Sequence, residues 1–367
     1  MSDQVFAGAR PGRARLTIDL DAIVANWRAF DRAGAGAVCA AVVKADAYGL
    51  GAGPVTRALA GAGCANFFVA HLEEAITVRK ALGPGQRIFV LNGALAHEED
   101  DLLAGELIPV LNDPDQIRRW SMLGEGAPAA IHLDTGMNRL GVAPEDWDAA
   151  AEAAESINLA LVMSHLACAS EPQNPMNARQ RSAFARAAAG FPPAPLSLAA
   201  SAGALLGTEF AFDMIRPGIG LYGGSPFDDA TTDLRPVVTR EAPILQVRDA
   251  GPGDTVGYGA SWQADRARRI ATIAWGYADG YLRSASSRGF AMLAGQACPV
   301  VGRVSMDLVT LDVTAAGPAA QPGALVELLG PSAPLDAQAQ AAQTIPYELL
   351  TRLGARAVRR WVGSGQG

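Results

Sequence analysis

No run of lysine and arginine in this chain is long enough to make a nucleic-acid surface, and a formal charge of −7 with a pI near 5.2 points the other way. The four cysteines, Cys39, Cys64, Cys168 and Cys298, are scattered and form no C-x-x-C pair. That spacing argues against a zinc knuckle or a redox dithiol and leaves buried free thiols in a reducing compartment. No uncharged apolar run is long enough to span a bilayer. The first residues, Met1 to Arg15, are rich in Gly, Arg and Ala and lack the apolar core of a secretory leader. A soluble cytoplasmic protein that binds neither nucleic acid nor membrane is the expectation. What is present is ordinary for a globular chain, half apolar and 18% charged, and 367 residues suit two domains with large cores.

From about residue 38 to 220, short apolar runs alternate with Ala-rich helical stretches. Strands are expected at Val38–Val43, Asn66–Ala70, Arg87–Leu91, Leu107–Val110, Ala129–Leu133, Leu159–Ser164, Leu196–Ala199 and Asp213–Ile215. Helices are expected between them, among others at Val55–Ala62, Leu72–Ala81, Glu98–Ala104, Pro114–Met122, Pro144–Glu155 and Asn177–Ala189. Eight such units fit an α/β fold, a closed (β/α)8 TIM-type barrel over residues 1–235. An open doubly wound sheet would carry a Gly-rich phosphate turn after its first strand, whereas Gly34-Ala35-Gly36 precedes one. After Leu234-Arg235-Pro236 helix-length patterns give way to short β-like runs: Pro243–Val247, Arg269–Ala274, Phe290–Leu293, Val300–Val304, Leu308–Val313 and Leu325–Leu329. Residues 236–367 therefore read as a second, mostly β domain with some helix in Gln338–Arg352. The strand at about residues 14–19 lies outside the count of eight and is a candidate to pair with that domain.

Barrel enzymes place their chemistry where the strands end. The residues there are Lys44 after the first strand, His71 after the second, Asn92 after the third, and Asp134 to Arg139 after the fifth; His165, Ser201 and Arg216 follow the sixth, seventh and eighth. Each has an ordinary reading when taken singly. A strand-end lysine commonly snorkels to water, and His71 can simply cap the helix at Leu72-Glu73-Glu74. Their collection at one end of apolar strands is what packing does not require. A buried Lys44 would have a lowered pKa, and hence be a better nucleophile and base. Arg216-Pro217-Gly218-Ile219-Gly220 offers the amides of Gly218 and Ile219 in a bend able to cradle an anion, and Ser201 adds a hydroxyl. Two such loops after strands seven and eight suit a phosphate. With a strand-end lysine they point to a phosphorylated aldehyde held as a Schiff base, pyridoxal 5′-phosphate being the obvious one. No aligned His, Asp and Glu set suggests a metal.

At this point a family resemblance becomes specific. Val43-Lys44-Ala45-Asp46-Ala47-Tyr48-Gly49 resembles the cofactor-attachment motif of the alanine racemases, two-domain enzymes of pyridoxal-phosphate fold type III. Further matches are Asp134-Thr135-Gly136-Met137-Asn138-Arg139-Leu140-Gly141, Ser164-His165-Leu166-Ala167 and Ile215-Arg216-Pro217-Gly218-Ile219-Gly220-Leu221-Tyr222-Gly223. In the second half, Val256-Gly257-Tyr258-Gly259-Ala260, Gly276-Tyr277-Ala278-Asp279-Gly280 and Gly302-Arg303-Val304-Ser305-Met306-Asp307 follow in the same order. The resemblance implies a homodimer that interconverts L- and D-alanine by two bases and supplies D-alanine for peptidoglycan. It makes Lys44 the cofactor anchor and the base on the D side, with Tyr258 from the partner subunit serving the L side. Arg139 would approach the cofactor's phenolic oxygen and the substrate carboxylate, His165 the ring, and Arg216 the pyridine nitrogen. Tyr48, Ser201, Gly218, Ile219 and Tyr347 would bind phosphate, and Tyr277 and Met306 would line the substrate side. Chemistry agrees, because racemisation needs proton removal on one face of a carbon and delivery on the other, which two fixed groups provide. A tyrosine is a poor base at its ordinary pKa of about 10, so a nearby cation must favour the phenolate. Without the motif, Tyr258 would read as a structural tyrosine in a turn.

Two positions depart from the family pattern. His132 stands where many members carry a lysine modified to a carbamate, so Arg139 must be balanced differently, with a bound anion as one hypothesis. Ala200 stands where an Asn commonly precedes the phosphate-binding serine. Three alternatives share parts of the pattern. A pyridoxal-phosphate-binding homeostasis protein explains Lys44 but not the β domain. A basic-amino-acid decarboxylase expects a substrate-site cysteine that Cys298 does not match. A racemase of broader specificity is the third; such enzymes tend to be periplasmic, whereas no export signal is expected here.

Overall fold

The computed structural model describes residues 14–124, 126–228 and 232–363. The expectation for Met1 to Arg15 falls almost wholly outside them. The chain forms two compact units, one of Leu20–Arg235 and one that joins residues 14–19 to those from Pro236 onward.

The first unit is a parallel barrel. Its first strand is broken into Val38–Cys39 and Ala41–Val42, and six more follow at Asn66–Val69, Arg87–Val90, Ile108–Leu111, Pro128–His132, Asn158–Met163 and Leu196–Ser197. The eighth strand, Met214–Ile215, pairs in parallel with Val38–Cys39. Amides of Asp213 and Arg216 donate to the carbonyls of Leu196 and Ala199, which closes the ring. These strands are apolar on both faces because helices cover the outside and side chains fill the inside. Phe68 and Phe89 stack there with centroids 4.5 Å apart. Asp113 accepts from the Gln116 amide ahead of Pro114–Leu123, and Asn174 accepts from Met176 ahead of Pro175–Ala188. Each is a side-chain cap followed by proline at the first helical position. The sequence reading places no helix between residues 19 and 37, yet Leu20–Ala33 is one. Leu20, Ile23, Trp27 and Phe30 are its buried stripe, a helical spacing diluted by alanines and charges.

The second unit is mostly β. Its spine is a 13-residue strand, Val238–Ala250, with a register shift between Ile244 and Gln246. Before the shift it pairs antiparallel with Arg15–Asp19 and Leu325–Leu329, and after it mainly with Arg268–Ile273. The pattern predicts a strand at Val300–Val304, but the strand in this region is Gln296–Pro299, a hairpin partner of Phe290–Leu293. Two residues connect them, Ala294 at φ 49° and Gly295 at φ 77°. Both angles are positive, the backbone that a tight two-residue hairpin turn demands, and glycine meets it at the second position without steric cost. A strand not anticipated, Val358–Val362, pairs in parallel with Arg15–Asp19. Its two central arginines hide the β pattern, and main-chain pairing supplies what the side chains do not announce.

Candidate active site

Lys44 follows the first barrel strand and opens a left-handed turn. Ala45, Asp46, Ala47 and Tyr48 have φ of 53°, 54°, 53° and 56°. Each non-glycine residue in that region costs about 1–2 kcal/mol, so the turn persists only because its surroundings hold it. Asp46 Oδ1 accepts from the Ala52 amide at 2.7 Å, and the Asp46 carbonyl accepts from Gly51 at 2.9 Å. From the helix after the second strand, Glu74 reaches across with Oε1 on the Ala45 amide (2.7 Å) and Oε2 on the Ala70 amide (2.8 Å). The Lys44 amine lies below its ordinary pKa, first because it is buried, then because Arg139 repels a second cation; Glu74 opposes both. A larger share of free amine is the result.

The opposite wall comes from strands five to eight. Arg216 is 3% exposed. Its Nη1 donates to Ser197 Oγ, and its Nη2 to the carbonyls of Ser164 (2.7 Å) and Leu198 (3.4 Å). No carboxylate pairs with it among the described residues; burial brings its pKa to about 9, and it remains a cation at neutral pH. Its Nε–H and second Nη1–H are left to serve an acceptor from outside the protein. Ser164 Oγ donates to the Leu133 carbonyl (2.7 Å) and meets Thr135 Oγ1 (2.8 Å). Gln180 ties this wall together, with Nε2 on Thr135 Oγ1 and the His165 carbonyl and Oε1 on the Ala167 amide. Burial and the cations Arg216, Arg139 and Lys44 push the His165 imidazole well below its usual pKa. His132 is lowered to about 4 by burial and Arg216, so both rings are neutral at pH 7.

The loop after the eighth strand is folded onto Ser201. Ser201 Oγ accepts from the amides of Gly218 (2.8 Å) and Gly220 (3.2 Å), while the Ile219 amide has no partner among the described residues. A Cβ on Gly218 would come 2.3 Å from the Tyr48 hydroxyl, which puts that phenol directly over the loop. Tyr48 also packs on Tyr222, centroids 4.6 Å apart, and Tyr222 donates to the Val42 carbonyl at 2.9 Å. Thus Lys44, Tyr48, His165, Ser201, Arg216, Gly218 and Ile219 share one end of the barrel, with Arg139 on the loop after the fifth strand. That loop is bent by Asp134, whose Oδ1 accepts from the amides of Gly136 and Met137, both at 2.8 Å. An anion-accepting bend, a buried cation with spare donors and a depressed lysine fit an aldehyde bearing a phosphate and a ring nitrogen.

The second unit displays the remaining residues. Tyr258 is 70% exposed on a short turn between Gly257 and Gly259, with φ of 78° and 70°. The Arg303 guanidinium lies against that turn, 3.1 Å from where a Gly259 Cβ would sit. Tyr277 (42% exposed) and Met306 (54%) lie on adjoining loops, because the amides of Tyr277 and Ala278 donate to the carbonyls of Ser305 and Met306. Asp279 accepts a two-pronged contact from Arg356 at 2.7 and 2.9 Å, and Asp307 a third at 2.7 Å. Tyr347 stands on the helix Pro346–Thr351 of the same unit. Sequence reasoning passed over Glu74, Asn112, Gln180 and Arg356. Glu74 alone left a signal, an acid at the third helical position, where it reaches back to the preceding amides.

Two families match consecutive parts of the chain, "Alanine racemase, N-terminal domain" over residues 18–226 and "Alanine racemase, C-terminal domain" over residues 237–361. An alanine racemase of Rhodospirillum rubrum is 50% identical over 363 residues, covering 96% of this chain and 97% of the relative. One from a Methylobacterium species is 49% identical over 359 residues, covering 96% and 98%. Among solved structures, alanine racemase from Bartonella henselae with covalently bound pyridoxal phosphate superposes with a TM-score of 0.92 at 39% identity, covering 96% of this chain and all of the other. The biosynthetic alanine racemase of Pseudomonas aeruginosa gives 0.90 at 36% identity, with the same coverage.

Proposed function

The chain belongs to the alanine racemase family, and from that premise we propose that it interconverts L- and D-alanine with Lys44 and Tyr258 as opposed bases. The observation that carries the reading is Lys44 itself, an amine depressed by burial and held on a strained turn beside an anion-accepting loop. Pyridoxal phosphate, when bound, supplies the electron-withdrawing ring that acidifies the α-proton of an attached amino acid. Lys44 would hold that group and then take or return the proton on the D side. Tyr258, presented outward on its turn, would serve the L side of a partner's site, which makes the working enzyme a homodimer. Arg139 binds the substrate carboxylate. Arg216 would stay protonated and donate to the ring nitrogen, which would keep that nitrogen unprotonated and limit electron withdrawal, at some cost in rate and with fewer side reactions. Tyr48, Ser201, Gly218, Ile219 and Tyr347 would bind the phosphate, His165 would lie against the ring, and Tyr277 and Met306 would bound the substrate. The cytoplasm and the supply of D-alanine for peptidoglycan complete the proposal. The test is incubation with pyridoxal phosphate and L-alanine in D2O. Circular dichroism should decay as deuterium enters the α-position, and a dichroism signal that holds steady with no deuterium would overturn the reading.

A further inference from the structure

We propose that Arg356 is a positioning residue for the substrate wall, one guanidinium that ties the loop of Tyr277 to the loop of Met306. Its Nε and Nη2 donate to Asp279 Oδ1 and Oδ2 at 2.7 and 2.9 Å, and its Nη1 donates to Asp307 Oδ1 at 2.7 Å. Asp279 follows Tyr277 by two residues, and Asp307 follows Met306 directly. Asp279 Oδ2 also accepts from the Gly276 amide at 2.9 Å, so one carboxylate closes the turn on which Tyr277 stands. Three charge-assisted bonds to two carboxylates need a planar fork, a shape that a lysine ammonium lacks.

Between the two loops themselves the bonds are neutral. The amides of Tyr277 and Ala278 donate to the carbonyls of Ser305 and Met306, both at 3.0 Å. A Cβ on Gly276 would come 2.2 Å from the Met306 carbonyl oxygen, so backbone lies directly on backbone and no side chain fills the join. A lone exposed ion pair would add little to this. Here the pair is anchored at a buried end, because the Asp279 side chain is 11% exposed and only Asp307, at 57%, reaches water. The segment that carries Arg356 is itself fixed against the Tyr277 loop. The Gly354 amide donates to the Asp279 carbonyl at 3.3 Å, and a Cβ on Gly280 would lie 2.0 Å from the Arg352 carbonyl oxygen. A role confined to seating the strand Val358–Val362 does not require the Asp307 contact, since parallel pairing with Arg15–Asp19 already seats that strand. The fork therefore makes Tyr277 and Met306 one wall of fixed spacing.

That this wall bounds the substrate rests on the racemase reading; the tie between its loops does not. Asp307→Ala frees the Met306 loop and leaves Arg356 paired with Asp279, so no buried charge is stranded. Amide hydrogen exchange of the full chain without substrate should quicken about tenfold at Tyr277 and Ala278, the loss of a bond to a charged group, with the strand Arg268–Ile273 unchanged. In kinetics, KM for alanine should rise more than kcat falls. A loosened wall should also raise kcat/KM for L-serine relative to L-alanine, by about tenfold. Arg356→Lys keeps the charge, loses the fork and should show the same three changes. Unchanged exchange at Tyr277 and Ala278, equal quickening in the strand, an unchanged serine-to-alanine ratio, or wild-type behaviour of Arg356→Lys each overturns the proposal. Absence of racemisation in the unaltered enzyme overturns the functional reading and leaves the exchange result standing.

Discussion

In the proposed reaction Lys44 and Tyr258 do the same chemistry from different starting points. The amine is prepared by its surroundings, through burial and the Arg139 cation. The phenol stands 70% exposed on a glycine-flanked turn and must be prepared by whatever covers it. Lys44→Ala should abolish both the yellow colour of the loaded enzyme and turnover, checked by absorption and by borohydride labelling of the intact protein. Tyr258→Phe should keep the colour and lower kcat by about 10²–10⁴, with hydrogen exchange lost at one enantiomer first. His132 gives a stability test. Its pKa falls from 6.5 unfolded to about 4 folded, so between those values the unfolded chain binds the extra proton. Its contribution is complete above pH 6.5 and lost on the way to pH 4, on the order of 3 kcal/mol. Urea midpoints across that range should fall, and fall less in His132→Gln.

The left-handed turn is the element on which the site hangs. Alanine to glycine in an ordinary helix costs about 1 kcal/mol. At Ala45, exposed and at φ 53°, the sign should reverse or vanish, because glycine relieves the left-handed penalty. Urea unfolding of Ala45→Gly reads this directly. Glu74→Ala should do the opposite and cost about 1–3 kcal/mol, since the Ala45 and Ala70 amides lose a charged acceptor. At the phosphate loop, Gly218→Ala sets a methyl 2.3 Å from the Tyr48 hydroxyl, and cofactor affinity measured by titration of absorbance should weaken.

For the whole molecule, the proposal of shared sites has a sharp consequence. Lys44→Ala and Tyr258→Phe chains, each inactive alone, should regain about a quarter of wild-type activity when refolded together, by random assortment into dimers with one intact site in two. No recovery despite mixed dimers on native mass spectrometry would place both residues in one chain's site or in neither. The strand Arg15–Asp19 shows how sequence distance misleads at this scale. It lies between Val238–Ala250 and Val358–Val362, so the first described residues and the last share one sheet.

The barrel strands were legible because each is a short run buried on both faces, and burial on both faces leaves an apolar word of fixed length in the sequence. Lys44, Arg139, His165, Ser201 and Arg216 were legible because strand ends are where such words stop. Glu74, Asn112 and Gln180 were not, because a side chain that serves a distant amide or imidazole looks like any polar residue on a helix or loop. The left-handed turn was hidden for a related reason: Ala-Asp-Ala-Tyr has no glycine to announce it, and hydrogen bonds from Glu74 on another helix help to hold it there. Local pattern determined the elements and their chemical ends. Tertiary contact decided conformation and protonation, because both depend on which charges and acceptors arrive from elsewhere in the chain.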